Sequence, residues 1–171
     1  VVAVAIGQAA HGERAVALKS NGTVALLRED SSIHKLETPP EGLSNVVAVA
    51  AGSGHTLALK QDGTVVGWGF NPVGEATGTP KSNVSSFGYY SSGQVTIAGK
   101  VLSNVISIAA NAGYSMALKK DGTVVAWGRI QNNLYPATVP DGLSNVVAIV
   151  AAEYHSLAIT TNAAVAERFR R

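Results

Sequence analysis

The chain has 171 residues, 46% of them hydrophobic and 14% charged, with a formal net charge of +2. That balance argues against disorder, and the lack of cysteine excludes disulfides, thiolate metal sites and a cysteine nucleophile. The surplus positive charge rests on Arg168, Arg170 and Arg171, so the body is near neutral and lacks the basic face that nucleic-acid binding needs.

No apolar run approaches the roughly 18–20 residues of a membrane span, so no membrane insertion is expected. The chain opens Val1-Val2 inside a repeat, which leads us to expect a fragment or a processed product rather than a chain with its own signal peptide.

The first repeat (1–45) begins with VVAVAIG over Val1–Gly7. QAAHGERAVALK follows and is four residues longer than its later counterparts, which predicts a bulged loop over Gln8–Glu13. Ser20-Asn21-Gly22 takes a hairpin position, TVALL (Thr23–Leu27) is a third strand, and a polar segment with Pro39-Pro40 is loop plus a short outer strand near Ile33–Glu37.

The second repeat (46–104) carries VVAVAAGSGHTLALKQDGTVVGWG over Val46–Gly69. It reads as three short strands, with Asp62-Gly63 as a tight primed hairpin turn between β-rich runs. These runs suit strands buried on both faces. The exit, Phe70–Val101, is 18 residues longer than the others. An insertion over about 77–95 is expected there as a surface loop, the usual place for function on a repeat scaffold.

The third repeat (105–145) copies the second nearly position for position, with Tyr114 in place of His55, and YPATVP as its outer strand. The fourth (146–171) keeps two strands, but Asn162-Ala163 replaces Asp-Gly and the Trp-Gly ending is missing; a degenerate strand or a short helix is expected at its end. Gly22, Gly63, Gly122 and Ala163 stand 41, 59 and 41 residues apart, a constant 41 once the insertion is discounted. A period of 40–50 residues with about four strands per unit indicates β-propeller blades.

The residues that carry a family resemblance are Val49-Ala50-Ala51-Gly52, then His55-Thr56-Leu57-Ala58-Leu59, then DGTVVGWG. They resemble the repeat of the regulator of chromosome condensation family. Repeat three departs at Asn111 and Tyr114 and repeat four at Ala152, while repeat one matches in outline. The spacer Val139-Pro140-Asp141-Gly142-Leu143-Ser144-Asn145 resembles that of bacterial, mostly extracytoplasmic members, similar in style to a propeller-type β-lactamase inhibitory protein. The resemblance implies an all-β propeller of seven blades, of which this chain supplies about four repeats. The ring would be closed by a longer chain, by self-association of two chains in a ring of about eight blades, or by another protein.

His55 and His155 share one repeat position and could ligate a metal, but an imidazole fixing its own turn explains them better, since Tyr114 replaces one of them. His11 and His34 have no spaced partners. Trp68 and Trp127 could form a recognition platform or, more simply, wedge between blades. No nucleophile elbow, paired carboxylates or phosphate-binding glycine loop stands out, so no enzyme, cofactor or metal is expected.

Loop aromatics that break the repeat are the partner-binding candidates: Phe87, Tyr89 and Tyr90 of the insertion, with Tyr114, Tyr135 and Tyr154 near blade edges. The expected function is a non-enzymatic protein-interaction module of a bacterial secreted or cell-surface protein. The alternatives are an enzyme inhibitor, a structural segment of an adhesin or filament and, less favoured, a guanine-nucleotide exchange factor.

Overall fold

The computed structural model describes residues 1–9, 12–27, 38–72, 74–79, 90–111, 113–130, 135–152, 155–161 and 167–169. The described residues hold sixteen strands and no helix. Sheet one contains β1 (Ala3–Ala9), β2 (Gly12–Leu18) and β3 (Val24–Leu26). Sheet two contains β4 (Val46–Ala51), β5 (His55–Lys60), β6 (Val65–Phe70) and β7 (Tyr90–Gln94). A small hairpin of β8 (Thr96–Ile97) and β9 (Lys100–Val101) follows. Sheet three contains β10 (Val105–Asn111), β11 (Tyr114–Lys119), β12 (Val124–Ile130) and β13 (Tyr135–Pro136). Sheet four contains β14 (Val146–Ala151), β15 (Ser156–Thr160) and β16 (Glu167–Phe169). Each sheet is an antiparallel meander in chain order.

Several local expectations are revised. Gln8, Ala9, Gly12 and Glu13 of repeat one do not bulge. They lengthen β1 and β2, pairing Gln8 with Glu13 and Ala9 with Gly12. The insertion of repeat two supplies the outer strand of its own sheet: β7 pairs along β6 from Val66–Gln94 to Phe70–Tyr90. Its YSSGQ sequence shows no apolar alternation, and it joins the sheet by backbone pairing with β6. At the end of repeat four the expected strand alternative holds over Glu167–Phe169, with Ser156 opposite Phe169. The outer strand expected near Ile33–Glu37 lies outside the described residues.

The hairpins also differ in turn type. Gly63 has φ of 78° and donates its N–H to the Lys60 carbonyl at 2.9 Å, but Asp62 is not among the residues with positive φ. This is a type I turn closed by a left-handed glycine rather than a primed turn. The Asp62 carboxylate accepts from the Thr64 N–H at 2.9 Å and hydroxyl at 2.6 Å, and pairs with Lys60 at 3.1 Å. Asn21 and Asp121 repeat the pattern with Thr23 and Thr123.

The Thr64 hydrogen bonds, then the Lys60 contact, lower the Asp62 pKa from 3.8 to about 2. A depressed carboxylate contributes stability that is intact above pH 3.8 and lost as the pH falls toward 2. An NMR titration should therefore place the Asp62 midpoint near pH 2, and Thr64→Val should move it back toward the ordinary carboxylate range.

Each hairpin seats the next sheet. The carbonyls of Gly22, Gly63 and Gly122 accept from the N–H of Val46, Val105 and Val146 at 3.0, 3.0 and 3.1 Å. A side chain on any of these glycines would press on Asn45, Asn104 or Asn145, which themselves turn the chain with φ of 57°, 59° and 55°. The Gly-Leu-Ser-Asn spacers thus end on the left-handed residue that starts each inner strand.

The core is three inter-sheet layers rather than one centre. Val16 and Leu18 of sheet one pack on Val46, Ala58 and Trp68 of sheet two. Leu57, Leu59 and Val65 then pack on Val105, Ala117 and Trp127, and Met116, Leu118 and Val124 on Val146, Ile149 and Ala158. Every internal sheet therefore has a forward face meeting its successor and a backward face meeting its predecessor. That explains the unalternated apolar runs.

Candidate interaction surface

Polar joints sit among the apolar layers. His55 opens β5 with Gly69 opposite it, and its ring lies over Gly52, where any side chain would collide with the imidazole. The ring Nε2 reaches the Ser115 hydroxyl of sheet three at 2.8 Å. Ser115 gives its hydroxyl hydrogen to the Glu75 carbonyl at 2.8 Å, so the imidazole must be the donor, from Nε2–H. Trp127 Nε1–H donates to the same carbonyl at 3.0 Å. His55 therefore does not merely fix its own turn. It ties sheet two to sheet three.

Glu75 is held in place by Asn71, which is buried in the loop after β6. The Asn71 Oδ1 accepts from Ala76 and Thr77 N–H at 2.7 and 3.1 Å, and its Nδ2 donates to Thr77 Oγ1 and Thr79 O. Gly74 and Gly78 turn this loop with φ of 89° and 78°, and its Glu75 carbonyl bonds Ser115 and Trp127 of sheet three. The sequence alone did not single out Asn71 and Glu75. An Asn just after a Trp-Gly strand end and before a Gly-rich turn was the available signal.

Tyr114 takes the role of His55 at the next joint. Its phenol is 1% exposed and donates to the Ala152 carbonyl at 2.7 Å, with His155 O at 3.0 Å and Ser156 Oγ at 2.8 Å. Burial raises the Tyr114 pKa above its usual value, with the Ser156 contact opposing the shift. Tyr114→Phe should keep the ring packing but lose these bonds, costing about 1–2 kcal/mol in urea unfolding. An unchanged midpoint would show that the phenol bonds add nothing.

The aromatic candidates divide accordingly. Tyr114 is an interior joint, not a surface contact, because its hydroxyl is spent on sheet four. Tyr90 opens β7 opposite Phe70, and Tyr135 lies in β13 opposite Ile130. Phe87, Tyr89 and Tyr154 lie outside the described residues. Trp68 and Trp127 are 0% and 6% exposed and wedge between sheets. Among the described residues no three metal-ligating side chains gather, and no helix is long and apolar enough to cross a membrane.

Apart from Val2 and Val101, the exposed large apolar residues fall in two sets that the sequence does not separate. Val47, Ile106 and Val147 are each more than half exposed, and Val47 and Val147 sit at the register shifts where β4 and β14 begin, as does Ile106 in β10. A bulge leaves one residue unpaired and turns it outward, so these three aliphatics repeat along one rim, beside the Lys60–Asp62 and Lys119–Asp121 hairpins. The second set lies on the two end faces: Val1, Val4, Ile6 and Leu27 on sheet one, and Val150 and Ile159 on sheet four.

Antiparallel meanders stacked face to face, each seated on the hairpin of the one before, define the β-propeller class. The family described as "Regulator of chromosome condensation (RCC1) repeat" matches residues 46–75, so the chain carries an RCC1-like repeat there. Protein pim1 of Schizosaccharomyces pombe is 29% identical over 160 residues, spanning 80% of this chain and 29% of pim1. Guanine nucleotide exchange factor SRM1 of Saccharomyces cerevisiae is 27% identical over 150 residues, spanning 74% of this chain and 30% of SRM1. The crystal structure of Prp20p from Saccharomyces cerevisiae, whose description includes binding to Gsp1p and histones, superposes with a TM-score of 0.63. That match is 24% identical over 94% of this chain and 43% of Prp20p. The chain thus spans less than a third of the curated relatives it matches.

Proposed function

We propose that this chain is a non-catalytic protein-binding segment of a propeller, engaging its partner along the rim that carries Val47, Ile106 and Val147. The observation behind this reading is their shared register. Three large aliphatics, each 53–55% exposed, stand at the same bulge in successive sheets, outside all three inter-sheet layers. Exposed apolar groups repeated in line, with charged hairpins beside them, suit a protein partner. The extracellular or cell-surface setting implied by the spacer style, and closure into a ring of seven or about eight blades, belong to the same proposal.

The names of the relatives favour one second reading, nucleotide exchange on a small GTPase. Both readings are tested with purified Gsp1p and core histones against the full chain by interferometry, with release of labelled nucleotide from Gsp1p followed in parallel. Saturable binding weakened about tenfold or more by V47D/I106D/V147D, a loss of the size expected when a few interface anchors are removed, supports rim binding. Accelerated nucleotide release with it supports exchange. Binding that ignores the triple substitution would overturn the rim assignment, and a folded chain that binds neither protein would overturn partners of this type.

A further inference from the structure

Of the hairpins that seat the following sheets, the first differs from its sisters in the chemistry of its tip. Ser20-Asn21-Gly22-Thr23 stands where Gln61-Asp62-Gly63-Thr64 and Lys120-Asp121-Gly122-Thr123 stand later. An amide thus replaces a carboxylate, and the tip reads Asn-x-Thr, the tripeptide that accepts N-linked sugar. The sequence holds one other such tripeptide, Asn83-Val84-Ser85, which lies outside the described residues. A tripeptide is a weak signal by itself; the structure of the hairpin supplies the rest.

The Asn21 Oδ1 accepts from the Thr23 N–H at 3.2 Å and from its hydroxyl at 2.7 Å. An N–H can only donate, so this contact fixes which end of the amide is oxygen. Both bonds of the side chain fall on that oxygen, and Nδ2 keeps its two hydrogens on an exposed residue. The sister hairpins show that the turn needs nothing more. Asp62 and Asp121 hold Thr64 and Thr123 through Oδ1 alone. Their second oxygen, Oδ2, meets Lys60 and Lys119 at 3.1 and 3.5 Å on side chains more than half exposed. The atom that corresponds to it in Asn21 is Nδ2, so a substituent there breaks no bond of the fold.

The backbone holds the tip from behind. The Gly22 N–H donates to the Lys19 carbonyl at 3.0 Å, and the Gly22 carbonyl accepts from Val46 at 3.0 Å. The middle residue of the tripeptide thus places no side chain beside the amide and anchors the turn to sheet two.

We infer that Asn21 is an acceptor site for an N-linked glycan. The donor class is a sugar activated as a diphosphate ester. The Asn21 Nδ2 attacks the anomeric carbon and forms the C–N bond. The C–O bond to the diphosphate breaks, the diphosphate leaves with the bonding pair, and one Nδ2 proton passes to a base of the transferase. Hairpin one seats Val46, so the sugar stands at the Val47 end of the rim. Its use in the cell rests on the extracellular or cell-surface setting proposed above, whereas competence as an acceptor rests on the hairpin alone.

The folded full chain tests this with a soluble N-glycosyltransferase and UDP-glucose, the product being mapped by peptide mass spectrometry. One hexose on Asn21 is expected, and none at that position in Asn21→Asp, which keeps the turn as Asp62 and Asp121 do. Thr23→Val should slow transfer about fivefold or more, the size of one lost hydrogen bond. The glucosylated chain should unfold at the same urea midpoint as the unaltered chain, because Nδ2 holds nothing in the fold. The inference is overturned if Asn21 gains no sugar while an Asn-x-Thr control peptide is glucosylated in the same mixture. Sugar found on Asn83 alone, undiminished transfer to Thr23→Val, or a lower midpoint after glucosylation of Asn21 would each overturn it as well.

Discussion

Trp127→Ala is expected to lower the unfolding free energy by about 3–5 kcal/mol, the range for removing a buried aromatic. The indole is 6% exposed in the layer between sheets two and three, and its N–H bonds the Glu75 carbonyl at 3.0 Å. Removing it opens a cavity and leaves that carbonyl one donor short. Trp127→Phe separates the two effects, since it keeps most of the packing and loses the N–H, for about 1–2 kcal/mol. Urea unfolding of both variants reads the difference. Equal losses would mean that the indole N–H dominates and the packing contributes little.

The second large effect is expected at Gly67. A side chain there would collide with the Ala76 carbonyl and approach the Leu57 side chain at 3.2 Å. The Asn71–Thr79 loop must move to admit Gly67→Ala, and the Glu75 carbonyl that holds Ser115 and Trp127 moves with it. A loss of about 1–3 kcal/mol follows from overpacking. Hydrogen exchange should show it first at the Ala76 and Thr77 amides, which donate to Asn71. Unchanged protection at those amides would show that the loop does not rest on this glycine.

Much of the fold was legible because the repeat writes the same physics several times. Asp-Gly and Asn-Gly turns, apolar runs and the Gly-Leu-Ser-Asn spacers mark strand ends through local backbone preferences, and these hold in the structure even though the turn type differs. The outer strand of sheet two was hidden, because YSSGQ has no apolar alternation and its pairing with β6 is decided by the sheet edge. The joints were hidden for another reason. His55 and Ser115 are 60 residues apart, and nothing local to either residue says that one donates to the other. Tyr114 was misplaced on the surface by the same blindness, since an aromatic at a turn looks exposed until the next sheet covers it. The rim was missed because Val47, Ile106 and Val147 sit inside runs that read as continuous core, and only a register shift turns them out.

The sheets are joined in succession by polar bonds as well as apolar layers, and a double-mutant cycle on His55 and Ser115 tests that most directly. Urea unfolding of His55→Ala, Ser115→Ala and the double variant should give a coupling energy of about 0.5–3 kcal/mol, as for buried groups in one hydrogen-bonded network. Additive losses, within about 0.3–0.5 kcal/mol, would contradict a joint between sheets two and three through these side chains.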